Sequence, residues 1–159
     1  MGDILAYAAG FLVTIIFIAA VIYVLNAIAA YKIFKKAGES GWKAWIPFLN
    51  NYTQYKFSWK TMYFWILMGV TILATFFTAK AGEGDGNTTY SVFSYITLLI
   101  VWVIQLIGNI KLAKSFGKST FYGVVMGITG LQTILRWIIA FGKAEYIGNT
   151  TEIAETNNN

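Results

Sequence analysis

Four long apolar stretches alternate with polar segments along the chain. Residues 4–34, 59–78, 90–113 and 120–141 are dominated by Ile, Leu, Val, Ala and aromatic side chains. Each approaches or exceeds the roughly 20 residues that an α-helix needs to cross a bilayer. The stretches 4–31, 61–79 and 90–110 carry no charged side chain, and 119–140 carries one, Arg136. The pattern predicts four membrane-spanning helices in a single transmembrane domain over 1–146. The polar, Asn-rich remainder, 147–159, is expected to be disordered.

The polar segment after the first stretch returns after the third. At one fixed offset Lys32 falls on Lys111, Lys35 on Lys114, Gly38 on Gly117, Ser40 on Ser119 and Trp42 on Phe121. An apolar run precedes and follows each copy, so the chain divides into repeats over about 4–79 and 88–146. Both copies run in the same direction, which predicts two parallel hairpins related by an axis along the membrane normal. The fold expected is therefore all-α and transmembrane: a four-helix bundle made of two repeated hairpins. A short interfacial helix is added after helix one. There Trp42-Lys43-Ala44-Trp45-Ile46-Pro47-Phe48-Leu49-Asn50 is too short to span and too aromatic for a free loop, and suits headgroup depth.

Composition agrees. With 57% hydrophobic and 12% charged residues, the chain lacks the charge that keeps a soluble domain dispersed. It has no Cys and no His, which excludes thiol catalysis, disulfides, iron–sulfur clusters and thiolate or imidazole zinc sites. No metal or cofactor is expected. Met1-Gly2-Asp3 leads straight into apolar sequence without a basic region, so a cleaved leader is not expected either.

Charge sets the expected orientation. Lys32, Lys35, Lys36, Lys43, Lys56 and Lys60 lie between the first two stretches with Glu39 as the only acid, and Lys111, Lys114 and Lys118 between the last two. The loop 80–89 opposes one Lys to Glu83 and Asp85. Excess Lys marks the cytoplasmic side, which puts both termini and the loop 82–87 outside. These lysines suit anionic headgroups better than nucleic acid, so membrane lipids are expected partners and nucleic acid is not.

Three segments together resemble an uncharacterised family of small bacterial multi-pass membrane proteins. They are Gly41-Trp42-Lys43-Ala44-Trp45-Ile46-Pro47-Phe48-Leu49-Asn50, Leu112-Ala113-Lys114-Ser115-Phe116-Gly117 and Phe141-Gly142-Lys143-Ala144-Glu145-Tyr146. The family motifs are Gly-Trp-x-Ala-x-Ile-Pro, Leu-Ala-Lys-x-Phe-Gly and Phe-Gly-x-Ala-Glu-Tyr. Some members carry a signal-peptidase label. The resemblance implies a bacterial cell-membrane location and a membrane fold, and it implies no activity.

Arg136 is the sharpest candidate for function, because a charge inside an apolar run usually faces a bundle interior or water. Gln132 lies one turn away, Thr129 and Thr133 share that side, and Gln105 and Asn109 on helix three could face them. Such a polar seam would bind a solute, an anion or a peptide. The structural alternatives are an Arg136 that snorkels to headgroups and amides that only bond helix to helix. Gly123 and Gly127 suit close helix packing. Trp42, Lys43, Trp45, Pro47 and Asn50 read as an interfacial anchor or as a docking surface. Glu83, Asp85 and Asn87 fall short of a calcium loop's ligand count. Asn51-Tyr52-Thr53, Asn87-Thr88-Thr89 and Asn149-Thr150-Thr151 match glycosylation sequons that mean nothing in a bacterial host.

A Ser–Lys hydrolase needs a desolvated Lys beside its Ser. Lys114-Ser115 and Lys118-Ser119 fall instead in solvated turns on the expected cytoplasmic side. No expected helix contains a carboxylate for proton relay. The sequence therefore predicts a non-enzymatic membrane accessory or interaction protein that binds a partner membrane protein or lipid. Immunity and secretion roles both fit. The alternative is a small homo-oligomeric transporter or channel for a solute or ion that uses the seam.

Overall fold

The computed structural model describes residues 2–82, 88–128 and 131–149, with side chains from residue 7. Among them all regular structure is helical. Helix α1 covers Gly2–Lys36, a 3-10 helix covers Gly41–Trp45, and α2 covers Pro47–Ser58. Then come α3 over Thr61–Gly82, α4 over Thr88–Ser115, α5 over Thr120–Ile128 and α6 over Gln132–Phe141. Three helices are long and apolar enough to cross a membrane: Tyr7–Lys36, Thr61–Gly82 and Thr88–Ser115. Thr129, the acidic loop residues Glu83, Asp85 and Asn87, and the tail from Thr150 lie outside the described residues.

The fourth apolar stretch is not one helix. It is split into α5 and α6, of 9 and 10 residues. At about 1.5 Å per residue each rises roughly 15 Å, half of a roughly 30 Å hydrocarbon core. α5 runs antiparallel to α4, with Gly123 against Ile110 and Gly127 against Leu106. α6 returns beside α1, with Thr133 bonded to Asn26 and, farther along, the Ile139 carbonyl bonded to Lys36. The Tyr122 hydroxyl donates to the Leu135 carbonyl at 2.7 Å and ties the two short helices together. The pair therefore enters and leaves at the Lys-rich end. The break falls beside Gly127 and Gly130, poor helix formers. Folding back also gives Gln132 and Arg136 polar neighbours, where a straight span would carry them away.

α1 and α4 end alike. Gly38 and Gly117, which correspond in the repeat, hold φ of +77° and +66°. The Glu39 N–H reaches back to the Phe34 carbonyl at 2.8 Å, and the Lys118 N–H to the Ala113 carbonyl at 3.0 Å. A left-handed glycine lets the chain close these last turns without a Cβ clash. The copies then part. The first continues into the 3-10 helix and α2, while the second turns at once into α5.

α2 is longer than the sequence pattern suggests. Pro47 takes its first position, where a missing N–H costs nothing. The polar run 50–55 lies inside it rather than forming a connector. α2 buries Thr53, Gln54, Tyr55, Phe57 and Ser58 and packs against α3 and α4 at the Lys-rich end.

The best-packed core sits at that same end. Phe57 of α2 meets Phe34 of α1 at 5.6 Å between ring centroids, Tyr146 at 5.9 Å and Phe116 at 6.4 Å, each edge to face. Such pairs contribute about 1 kcal/mol each beyond area burial. Lys36 clamps the end of α6: its ammonium donates to the carbonyls of Ile139, Gly142 and Ala144 at 2.8, 2.8 and 2.9 Å. A cation suits these last-turn carbonyls. The Tyr146 hydroxyl then bonds the Phe57 carbonyl, and the Ile147 N–H bonds the Ser115 carbonyl. The sequence reading sends the C-terminal segment to the side opposite the lysines; residues 142–149 instead lie with them. At the other end α1 stands apart, with large side chains from Tyr7 to Leu25 exposed.

Candidate functional site

Gln105, Asn109, Gln132 and Arg136 line one cavity of about 120 Å³. α4 contributes Gln105 and Asn109 one turn apart, and α6 contributes Gln132 and Arg136 at the same spacing. α3 adds Leu67, and α2 closes the cavity with Asn51, Gln54 and Tyr55. Gly108 makes this closure possible: a Cβ there would stand 2.8 Å from the Tyr55 hydroxyl. Asn51 and Gln105 are exposed and form the mouth, whereas Gln54, Tyr55 and Asn109 are buried.

The cavity wall is bonded internally, with one gap. Arg136 Nη2 donates to Gln54 Oε1 at 2.8 Å. Gln132 Nε2 donates to Asn109 Oδ1 at 3.3 Å, and the Tyr55 hydroxyl reaches the Ile104 carbonyl at 3.4 Å, a long contact. Arg136 Nε is buried and has no hydrogen-bond partner. No acid pairs with Arg136: the two ion pairs among the described residues both belong to Glu39, with Lys43 at 2.8 Å and Lys56 at 2.7 Å. Burial pushes the Tyr55 phenol up to about 12 against the pull of Arg136, so it stays a neutral donor. The site thus offers one guanidinium, a phenol and several amides. Among the described residues no three His, Cys, Asp or Glu side chains gather as a metal site would need.

The Trp segment divides between packing and surface. Ala44 is fully buried, Pro47 opens α2, Lys43 pairs with Glu39, and Asn50 Nδ2 donates to the Ala44 carbonyl at 3.0 Å. Trp42 and Trp45 are exposed beside Phe48 and Trp65. On α5, a Cβ at Gly123 would run into the Ile110 backbone, and one at Gly127 into the Leu106 side chain. The serines beside lysines serve the backbone: Ser115 Oγ donates to the Lys111 carbonyl, and Ser119 Oγ accepts the Tyr122 N–H.

Sequence reasoning did not bring Gln54 and Tyr55 to the site. Their signal was the 51, 54, 55 spacing, which puts three polar groups on one helical face once the segment is known to be a helix. Comparison of the chain with family models, with curated proteins and with solved structures gives no match.

Proposed function

We propose that this is a non-enzymatic integral membrane binding protein, an accessory or interaction protein that recognises lipid or a partner membrane protein through the Arg136 cavity. The carrying observation is the convergence of polar groups from four helices on Arg136, whose Nε has no partner. A cation held in a dry site without a counter-charge is costly and marks a ligand position more often than a stability device. The bonding of Ser115 and Ser119 to backbone supports a non-enzymatic role. Positive-inside logic places the Lys-rich end in the cytoplasm; residues 142–149, which pack there, go with it, and the start of α1 lies outside. Exposed Trp42 and Trp45 would sit at headgroup depth beside the cavity. Kinship with the small multi-pass membrane family belongs to the same proposal. The residues of its three motifs knit the Lys-rich end together here.

Native mass spectrometry of the protein extracted with its lipids tests this reading. Wild type is expected to retain a stoichiometric companion that Arg136→Ala loses. Retention by Arg136→Ala with loss in Trp42→Ala and Trp45→Ala would move recognition to the aromatic surface and overturn the cavity reading.

The α5–α6 hairpin favours a second reading. Helices that stop half-way through a membrane are tolerated where they are packed in protein or line a cavity, and transporters build substrate sites from them. A small oligomeric transporter would show solute flux in vesicles that Arg136→Ala abolishes at unchanged membrane levels.

A further inference from the structure

The cavity also has a charge and a size, and together these restrict its ligand. Arg136 contributes a full positive charge, and its only hydrogen bond among the described residues goes to a neutral amide, Gln54. A buried guanidinium lacking an anion is unfavourable, and the favoured partner is an oxyanion that meets its N–H groups directly. The other groups facing the cavity are the neutral Tyr55 phenol, the Leu67 side chain and the amides of Asn51, Gln54, Gln105, Asn109 and Gln132. None adds negative charge, and no bond is recorded from the side-chain amides of Asn51 or Gln105 at the mouth, so both can donate inward.

The volume of about 120 Å³ equals roughly four waters at about 30 Å³ each. That is room for a group of about five heavy atoms, not for a whole lipid headgroup or peptide. A tetrahedral phosphate fits the volume and presents oxygens on several sides to donors on α2, α4 and α6. A carboxylate would satisfy only two directions.

We infer that the Arg136 cavity binds a phosphate group, carried either by an anionic lipid at the membrane face or by a small phosphorylated solute. This rests on the reading of the cavity as the binding site. Arg136 Nε takes one phosphate oxygen, the mouth amides of Asn51 and Gln105 take others, and the rest of the ligand leaves between them.

The test uses the full chain in discs of zwitterionic phosphatidylcholine, titrated with inorganic phosphate, and in a second set of discs containing phosphatidate. Acetate is the control anion. Saturable binding of either phosphate source, weakened about tenfold by Arg136→Gln and unchanged by the surface variant Lys60→Gln, is the expected result. Response to inorganic phosphate would make the ligand a solute, and response to phosphatidate alone would make it a lipid. Should Arg136→Gln fail to fold, Gln105→Leu at the exposed mouth gives the same comparison, with a loss of roughly threefold. Absence of binding from both sources, equal binding by Arg136→Gln, or equal binding of acetate would overturn the phosphate assignment. If a companion in native mass spectrometry still depended on Arg136, the cavity reading would survive that loss. If neither depended on it, both would fall.

Discussion

Glu39 shows how a single side chain organises the Lys-rich end. It is the only acid between the first two apolar stretches. Its carboxylate bridges Lys43 of the 3-10 helix and Lys56 of α2, so it joins the end of α1 to the two elements that follow. Hydrogen bonds from Lys43 and then Lys56 hold its pKa below the ordinary glutamate value, against a smaller opposing effect of burial. A carboxyl depressed in the folded state adds stability above its unfolded pKa, and this stability is lost as pH falls through the folded value. Lys56 is half exposed, so the effect is below about 1 kcal/mol. In thermal melts in detergent, Glu39→Gln should therefore lower the midpoint slightly at neutral pH. The difference from wild type should vanish under acid conditions, below the glutamate range near about 4.3. A difference that persisted there would contradict the account. Arg136 was legible in the sequence because a lone charge in an apolar run stands out. Its partner Gln54 was not, because an amide in a polar segment looks like any solvated residue until the segment's helical face is known.

At the scale of elements, glycine decides how closely α5 lies on α4. A Cβ at Gly123 meets the Ile110 backbone, which cannot move without shifting α4. At Gly127 the nearest atom belongs to the Leu106 side chain, which can rotate, although the backbone follows at 3.2 Å. Gly69 on α3 has open space around it. Stability should therefore follow this order under Ala substitution: Gly123→Ala loses about 1–3 kcal/mol, Gly127→Ala loses less, and Gly69→Ala is neutral or gains up to about 1 kcal/mol. Urea or thermal unfolding of the three variants checks it, and an equal loss at Gly69 and Gly123 would contradict it. The three long helices were legible from length and hydropathy, since each spans at least 22 residues in the structure. The split of the fourth stretch was not. Its hydropathy satisfies a span, whereas the fold-back answers to where Gln132 and Arg136 find polar partners. That information lies in α2, not in the stretch itself.

At the scale of the whole molecule, the packing is lopsided. The aromatic core, the Lys36 clamp and the polar cavity crowd the Lys-rich end, while the outer part of α1 exposes its apolar side chains. The repeat explains part of this, since Gly38 and Gly117 cap their helices in the same way. Divergence after the caps explains the rest: α2 from the first copy and the α5–α6 hairpin from the second close on one another, and the cavity lies between them. The central claim is that the fourth apolar stretch turns back and returns Arg136 and the segment 142–149 to the Lys-rich end. The chain contains no cysteine, so single substitutions can be labelled cleanly. The most direct measurement is maleimide accessibility in intact cells or oriented vesicles, comparing Asn149→Cys with Lys60→Cys at the Lys-rich end and Thr89→Cys at the start of α4. We predict that Asn149→Cys is labelled from the same side as Lys60→Cys. Labelling from the side of Thr89→Cys would mean that the stretch crosses the membrane, and would contradict the fold-back and the cavity built on it.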